Sequence, residues 1–350
     1  MAEKIRVAIA GVGNCAGALC QGLQYYSGDE TLPGLWHRVV GGFRVSDIEI
    51  VEAFDIDSNK LGLDLAEAIF TPPNTIPKYI NVKKTGVKVR RGILLDRLST
   101  YLNQMVTSSS SDIEDITKAL AESRVDIFVN LISSGMDKSS YAYAEAALRA
   151  GCCFINCTPS PIVCNEELVK RFEQSRLVVI GDDLMSQFGG TIFHKGILSF
   201  MHKRGVKILK SYQLDVGGGL ETLNTIDEDV KAIKRTLKTE AIVSEVPYKF
   251  KSVAGTTDYV DYLGNNRVSY FWIEGKGFLD TPIKIDIYLR TMDGPNAGNI
   301  LLDVIRAVYV ARKNGYYGAP NEICNYGFKR PPKIMNFEES YQRFKEIYLD

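Results

Sequence analysis

The sequence lacks the features that mark several classes of protein. Its formal net charge is zero, because 42 basic side chains balance 42 acidic ones, so no overall field would attract nucleic acid or anionic lipid. No apolar run reaches the roughly 18 residues that a membrane helix needs. The N-terminal segment shows no signal-peptide pattern. We therefore expect a cytoplasmic protein that binds neither nucleic acid nor membranes.

Histidine and cysteine are also used sparingly. The three histidines, His37, His194 and His202, have no spacing typical of metal ligands, so a structural zinc site is not expected. The seven cysteines are odd in number and include no CxxC pair, which predicts reduced thiols rather than a disulfide framework. Whether the protein requires another cation, divalent or monovalent, stays open at this point.

What the chain does contain is a glycine turn close to its start. The segment 7–17 reads VAIAGVGNCAG and combines an apolar strand, a glycine turn and the start of a helix; a second strand, within 51–57, ends in an acid. A dinucleotide-binding βαβ unit has this order, and the acid favours NAD because it would repel a 2′-phosphate. The alternative is a glycine-containing turn without a ligand. The expected cofactor contacts are Gly11, Val12, Gly13, Asn14, Cys15 and Asp55.

The order of the predicted elements defines the fold class. Up to about residue 205, helices and buried strands alternate, which predicts an α/β protein with a doubly wound parallel sheet. Beyond this point, alternating or β-branched segments predict a mostly antiparallel sheet with one open face. Strands are expected at 125–132, 153–157, 177–180, 206–216, 242–250, 267–274 and 283–292, and helices at 112–123, 139–150, 166–175, 227–239, 297–314 and 337–348.

A second loop, GDDLMSQFGGTIFHKG at 181–196, follows the strand at 177–180. Its two acids, Asp182 and Asp183, stand where a doubly wound sheet binds ligands, and hydroxyl and glycine residues then open a helix. Such a helix N-terminus suits a phosphate, here one carried by the substrate. The residues expected to hold it are Ser186, Gln187, Gly189, Gly190 and Thr191.

Together with these loops, further motifs resemble those of the myo-inositol-1-phosphate synthase family in its short prokaryotic form. The resemblance runs nearly end to end. The motifs that carry it are GVGNCAG at 11–17, AFDID at 53–57, RGILLD at 91–96, GDDLMSQFGGT at 181–191, DVGGGLETLN at 215–224, IKRTLKT at 233–239, MDGPNAG at 292–298 and FKRPP at 328–332.

The resemblance implies an NAD-dependent enzyme that converts glucose 6-phosphate to myo-inositol 3-phosphate. Oxidation at C5 would acidify the C6 protons, enolisation and aldol closure onto C1 would follow, and re-reduction would regenerate NAD, which stays tightly bound. The resemblance also implies a homotetramer. Residues 1–200 and 296–350 would form a Rossmann-like NAD-binding domain, and residues 201–295 a central catalytic domain whose open sheet serves oligomerisation.

The resemblance also assigns roles to individual residues. Lys234 and Lys238 match the two lysines of the family's SKxxSK segment, and their i,i+4 spacing puts both on one helix face, where each would lower the pKa of the other. Lys329 and Asp293 match a catalytic lysine and a catalytic acid. Without the resemblance, each lysine is a surface charge. Further expected contacts are Lys195 and Asn156 for the substrate, and Asp96, Ser133, Ser134, Asp182 and Asp183 for the cofactor.

Some positions depart from the family pattern. Met185 stands where the family usually has lysine, and Asp215 and Gly219 replace two asparagines of its NVGGN segment. Methionine carries no charge and binds an oxyanion poorly, and Lys195 is the residue that could compensate. These departures leave three alternatives open: a related cyclase acting on another hexose or ketose phosphate, a catalytically weak NAD-binding regulator, and an ordinary dehydrogenase.

Overall fold

The computed structural model describes residues 3–350 and contains two main sheets with helices packed around them. In the first sheet, which has six strands, all neighbouring strands are parallel. In sheet order the strands are β5 (Val89–Arg91), β4 (Ile48–Asp55), β1 (Ile5–Ala10), β6 (Ile127–Asn130), β7 (Cys153–Asn156) and β8 (Val179–Ile180). The chain order reverses between β1 and β6, which opens a crevice at their carboxyl ends. The predicted doubly wound sheet is confirmed.

Helices cover both faces of this sheet, so its central strands are fully buried and read as continuous apolar runs. Capping residues set several helix ends. Asp112 caps one helix by accepting the backbone N–H of Asp115, and Gly151 ends another in the left-handed conformation. The helices of this part are α1 (Asn14–Gly28), α2 (Leu65–Ala68), α3 (Thr100–Met105), α4 (Ile113–Glu122), α5 (Asp137–Ala150) and α6 (Glu166–Gln174).

The residues between α1 and β4 form an insertion that is fixed to a late helix, α10 (Asp293–Lys313). The insertion contains a short hairpin of β2 (Val39–Val40) and β3 (Phe43–Arg44). Arg306 of α10 is fully buried and donates hydrogen bonds to the carbonyls of His37 and Arg38, at 3.0 and 2.9 Å. The guanidinium thus satisfies backbone groups of the insertion that would otherwise be buried without partners.

The second sheet has four strands, in the order β10 (Lys251–Tyr259), β9 (Lys207–Gly217), β11 (Asn266–Lys276) and β12 (Pro282–Met292). Two of its pairings are antiparallel; β9 and β10 are parallel and are joined through α8 (Leu220–Asn224) and α9 (Glu228–Val243). The strand predicted at 242–250 is wrong. Ile242 lies on the buried face of α9 with Leu237 and Ala241, so the helix continues to Val243 and the strand begins later.

The remaining helices fall into two groups, one packed on the second sheet and one on the first. Helix α7 (Gly190–Lys203) contributes Leu198 and Met201 to a core beneath the second sheet, with Ile208 and Ile273. Helix α10 returns to the first sheet and packs on α1, followed by α11 (Asn321–Gly327) and α12 (Phe337–Tyr348). The domain division predicted at residue 200 therefore falls inside α7, and we propose that this helix belongs with the second sheet.

The outer face of the second sheet is exposed along β12, where residues alternate between more and less exposed positions. Leu214, Val253 and Tyr288 are among its exposed apolar and aromatic side chains. Across residues 3–350, no helix has both the length and the apolar character that crossing a membrane requires.

Candidate active site

A cleft of about 250 Å³ lies between the glycine turn after β1, the turn after β6 and the lysine-bearing helix α9. It combines residues of both sheets, which are far apart in the sequence. The predicted site residues that line it are Gly13, Asn14, Cys15, Ser133, Ser134, Asp183, Ser186, Gly189, Gly190, Thr191, Lys234, Lys238, Asp293 and Lys329.

The glycine turn has the geometry that a pyrophosphate requires. A Cβ on Gly11 would lie 2.7 Å from the carbonyl of Leu131, so only glycine allows the turn to approach β6 this closely. A Cβ on Gly13 would have no atom of the described chain within 4 Å, which leaves open space in front of the α1 N-terminus. The carboxylate of Asp55 fixes the turn by accepting the backbone N–H of Val12 at 2.7 Å. Free N–H groups at such a helix start suit an anion.

Asn14 and Cys15 line the cleft in different ways. The side-chain oxygen of Asn14 accepts the backbone N–H groups of Thr75 and Ile76, at 2.8 and 2.9 Å, and so braces the neighbouring loop rather than pointing freely into the cleft. Burial, with the nearby charge of Asp293, raises the pKa of Cys15 to about 12. The thiol is therefore protonated and is no nucleophile at neutral pH.

Lys234 is held by an acid that also contacts the cofactor side of the cleft. Its Nζ lies 2.6 Å from Oε1 of Glu221, which in addition accepts the hydroxyl of Ser134. Burial alone would lower the pKa of Lys234, but Glu221 and Asp183 outweigh burial and raise it. The pKa of Lys234 is thus raised overall, whereas the spacing with Lys238 predicts a lowered value, and Lys234 is an ammonium donor.

Lys238 is paired with a fully enclosed carboxylate. Its Nζ lies 2.6 Å from Oδ2 of Asp215, a side chain that is 1% exposed and also accepts from Ser269 and Gln213. Burial opposes ionisation of Asp215, yet Lys238 and Arg267 lower its pKa to about 2. Asp215, noted in the sequence only as a departure from the family pattern, thus fixes the position of a predicted catalytic lysine.

Lys329 differs from the other two lysines. Its Nζ donates to Oδ1 of Asp183 at 2.8 Å and to the carbonyl of Leu184 at 2.9 Å. Burial and the charges of Lys234 and Lys238 lower the pKa of Lys329 despite this contact. Lys329 is consequently the lysine best suited to give and take a proton. The second oxygen of Asp183 is buried and has no hydrogen-bond partner among residues 3–350, so it can accept a ligand hydroxyl.

Arg267 is a cleft residue that the sequence motifs did not reveal. It lies at the start of β11, and its Nε donates to Oδ2 of Asp293 at 2.6 Å. Burial would lower the pKa of the guanidinium, but Asp293 and Asp215 raise it. Asp293 thus pairs with an arginine and not with a lysine. Glu221, by contrast, stood within a recognised motif and could have been found there.

The predicted phosphate loop leads into α7 along the floor of the cleft. Gly189 is the N-cap of α7, and no side chain of the described residues caps this helix end, so its first N–H groups are available to a ligand. A Cβ on Gly190 would lie 3.1 Å from Oγ of Ser269, so glycine allows the loop to approach the second sheet. Ser186 and Thr191 supply hydroxyls beside it.

Asn156 and Asp182 lie beneath the cleft and do not line it. Asn156 is 0% exposed, and its amide nitrogen donates to Asp182 at 2.7 Å and to the carbonyl of Ser160 at 2.8 Å. Burial raises the pKa of Asp182 well above its ordinary value. The expected substrate contact of Asn156 and cofactor contact of Asp182 are therefore corrected: both side chains are engaged in a buried network that supports the loop.

Three other expected contacts also face elsewhere. The carboxylate of Asp96 accepts two backbone N–H groups at the start of α5, from Lys138 and Ser139, and so caps that helix. Gln187 donates to the carbonyl of Gly34 at 3.4 Å. Lys195 is buried and lies 3.5 Å from Glu245, at the end of α9. The structure corrects its expected phosphate contact, because Glu245 holds the ammonium away from the cleft.

Met185 also lies outside the cleft. It is buried and, with Trp36, Lys195 and Tyr326, lines a separate cavity of about 20 Å³ behind the phosphate loop. An uncharged side chain suits this enclosed position. Met185 therefore leaves the charges around the cleft unchanged. Over the described part of the chain, no group of three or more His, Cys, Asp or Glu side chains is arranged to hold a metal ion.

Comparisons with known proteins identify relatives of this chain. A family model described as myo-inositol-1-phosphate synthase matches residues 189–294. The inositol-3-phosphate synthase of Corynebacterium glutamicum is 34% identical, covering 99% of this chain and 98% of its own, and that of Mycolicibacterium smegmatis is 36% identical, covering 95% of both. Among solved structures, the protein Ari2 is 30% identical in sequence to this chain, with a TM-score of 0.80. The match covers 99% of this chain and 98% of the Ari2 chain. The inositol-3-phosphate synthase of Caenorhabditis elegans is 14% identical, with a TM-score of 0.77, covering 99% of this chain and 85% of its own, and shares the fold.

Proposed function

Because this chain belongs to the myo-inositol-1-phosphate synthase family, we propose that it converts glucose 6-phosphate to myo-inositol 3-phosphate with a retained NAD. The observation that carries the proposal is the meeting of a dinucleotide turn, a phosphate loop and three lysines around one cleft. The reaction passes through several oxyanions without net oxidation, and this cleft offers cations for each of them.

The proposed roles follow from the surroundings of each lysine. The α7 N-terminus, with Ser186 and Thr191, binds the phosphate. Lys234 and Lys238, held as ammonium donors by their carboxylates, stabilise the oxygens that become negative during enolisation and ring closure. Lys329, whose pKa is lowered, moves the proton at C6 through its Nζ.

The residues of the glycine turn fit a bound dinucleotide. The open space before Gly13 and the uncapped start of α1 suit a pyrophosphate, and Asp55 stands at the end of β4 on the expected ribose side. Ser133 and Ser134 line the cleft beyond the turn. When bound, NAD supplies the reversible hydride transfer at C5 that the residues of this chain cannot perform.

A related sugar-phosphate cyclase is the second candidate, and two cleft residues favour it. Asp215 places a carboxylate where the family has an amide, and Gly219 leaves space, since its Cβ would have no neighbour closer than 3.5 Å. A ketose phosphate or another hexose phosphate would contact a Lys238 that is held by a carboxylate, and would find more space beside Gly219. The regulator hypothesis loses its main support, because Met185 lies outside the cleft.

Oligomeric state and location also stay proposals. We infer a homotetramer from the family resemblance, and the exposed face of the second sheet, with Leu214, Val253 and Tyr288, is the surface proposed to be covered. Sedimentation analysis that finds only monomers at micromolar concentration would contradict it. A cytoplasmic location remains a prediction from the sequence.

The test of the function uses purified protein with NAD and either glucose 6-phosphate or fructose 6-phosphate, followed by phosphorus NMR. We expect a cyclitol phosphate from glucose 6-phosphate, with no accumulation of reduced dinucleotide. Product from fructose 6-phosphate alone would favour the second candidate. Binding of both sugars without any product would contradict the proposed activity.

A further inference from the structure

His194 is a buried histidine of α7 that lies behind the cleft and does not line it. Its ring packs edge-on against Phe271, with the two ring centroids 5.5 Å apart. Its Nδ1 lies 3.4 Å from Oε1 of Gln213, and its buried Nε2 has no hydrogen-bond partner among residues 3–350. The imidazole is therefore linked to the polar groups of the site through one atom, Nδ1.

Gln213 joins this histidine to the carboxylate that holds Lys238. Gln213 and Asp215 are two residues apart on β9, so both side chains lie on the same face of the sheet. Nε2 of Gln213 donates to both oxygens of Asp215, at 2.9 and 3.0 Å. Oδ2 of Asp215 in turn accepts from Nζ of Lys238 at 2.6 Å. A continuous row of hydrogen bonds thus runs from α7 through β9 to α9.

The charge of Asp215 determines where the protons of this row lie. Burial opposes its ionisation, but Lys238 and Arg267 lower its pKa to about 2, so the carboxylate only accepts hydrogen bonds. The amide of Gln213 must then direct its nitrogen to Asp215 and its oxygen to His194. Because an amide oxygen needs a donor, Nδ1 of His194 carries the ring proton. Burial lowers the pKa of His194 to about 4, although Gln213 and Asp215 oppose this, so the ring is neutral at pH 7.

The packing around Gln213 leaves its amide little freedom. The side chain is 0% exposed, and a Cβ added to Gly190 would collide with its Nε2. Within the described part of the chain, His194 is the one donor that contacts Oε1 of Gln213. Without that donor a buried carbonyl would lose its hydrogen bond, which favours rotation of the amide away from Asp215.

We propose that His194 is a positioning residue for catalysis, which holds Lys238 in place through Gln213 and Asp215. The neutral imidazole fixes the amide, the amide fixes the carboxylate, and the carboxylate directs the ammonium of Lys238 into the cleft. The reaction that Lys238 serves rests on the proposed function, whereas the row of hydrogen bonds does not depend on it.

Nitrogen-15 NMR of the wild type with NAD tests the protonation state without any substitution. The chain has three histidines, so selective histidine labelling gives few ring signals, and His194→Asn identifies the signals of His194. Spectra are recorded between about pH 5.5 and pH 8, with His37 and His202 as internal references. We expect the neutral Nδ1–H form of His194 throughout, since its pKa is about 4. A neutral Nε2–H form, or a ring that titrates within this range, would overturn the proposal.

Kinetics of variants test whether the row positions Lys238. His194→Leu removes the donor, His194→Asn keeps an N–H near the position of Nδ1, and His202→Leu is a matched control on the same helix, outside the cleft. We expect kcat for glucose 6-phosphate to fall about tenfold or more in His194→Leu, with KM within about twofold, because a misplaced catalytic group costs up to about 10²-fold in rate. His194→Asn should recover most of this loss, and His202→Leu should behave as the wild type. In a Gln213→Met background, His194→Leu should cause no further loss.

A crystal structure of His194→Leu gives a readout that does not depend on turnover. We expect a rotated Gln213 amide and a separation of Lys238 from Asp215 beyond hydrogen-bond distance. An unchanged ion pair, normal kcat in folded His194→Leu, equal losses in His194→Leu and His194→Asn, or additive losses with Gln213→Met would each overturn the proposal. If the wild type forms no cyclitol phosphate, the proposed function fails, while the NMR spectra and the crystal structure still decide on His194. If His194→Leu does not fold, the wild-type spectra and the kinetics of His194→Asn against Gln213→Met decide.

Discussion

Replacing Lys238 with methionine tests the role of the most enclosed ion pair in the cleft. The substitution keeps the volume of the side-chain stem and removes the ammonium that lies 2.6 Å from Asp215. Losing one preorganised donor to an oxyanion in a water-excluded site lowers kcat by about 10² to 10³. The dinucleotide site lies on the other side of the cleft, so NAD binding is expected to stay normal. Turnover is followed by phosphorus NMR, and NAD binding by calorimetry.

Stability changes in the same variant, for a separate reason. Removing one partner of a buried ion pair costs about 3 to 5 kcal/mol when the other charge is left without compensation. Here we expect a cost of about 3 kcal/mol or less. Asp215 still accepts hydrogen bonds from Ser269 and Gln213, and the positive charge of Arg267 stays near it. The double variant Asp215→Asn with Lys238→Met removes both charges. It is expected to regain most of the lost stability in urea unfolding without regaining turnover.

The pH dependence of stability gives an independent check. The pKa of Asp215 lies at about 2 in the folded protein, below its ordinary value of 3.8. Its contribution to stability is therefore present above pH 4 and is lost as the pH falls from about 4 to about 2, and amounts to about 2 kcal/mol. In Lys238→Met, burial of Asp215 is less well offset, so its pKa rises towards or above its ordinary value, and the part of the acid destabilisation that Asp215 causes becomes smaller or reverses. Turnover gives the contradicting result. Near-normal turnover of Lys238→Met, or recovered turnover of the double variant, would show that the reaction does not need the ammonium of Lys238.

Three further substitutions test charged or enclosed side chains in and around the cleft. Met185→Lys is expected to lower the Tm without raising turnover, because the new ammonium enters a closed cavity beside Lys195; a large gain in kcat would contradict this. Lys195→Met is expected to destabilise the protein by about 1 to 3 kcal/mol, because Glu245 is left buried, with KM for the sugar phosphate unchanged in steady-state assays. Glu221→Gln removes the carboxylate that raises the pKa of Lys234, so the alkaline limb of the kcat profile should move to lower pH; an unmoved limb would exclude Lys234 as the ammonium donor.

The sequence revealed the parts of the site that depend on local pattern. The glycine turn, the phosphate loop and the pair of Lys234 and Lys238 each require only a few neighbouring residues, and each contributes residues to the cleft, although Gln187 of the phosphate loop does not line it. The strand predicted at 242–250 failed because a short apolar alternation also fits the end of a helix, and the burial of Ile242 decides between the two.

The partners of the charged residues depend on distant contacts instead. Asp183 contacts Lys329, which lies 146 residues further along the chain. Arg267 contacts Asp293 because β11 pairs with β12, the strand that Asp293 follows. No local pattern distinguishes a lysine that faces the cleft from one that faces an acid behind it, which is why the substrate contact expected for Lys195 was wrong. The sequence predicted the chemical groups of the site better than the pairs that they form.

In the proposed reaction, hydride leaves C5 of the sugar and returns to the same carbon. Glucose 6-phosphate carrying deuterium at C5 tests it directly, with the cyclitol phosphate product examined by NMR and mass spectrometry. We expect each product molecule to retain its deuterium at that carbon, with no accumulation of reduced dinucleotide. Loss of the deuterium to water, or a stoichiometric release of reduced dinucleotide, would contradict a hydride that is held on NAD and returned.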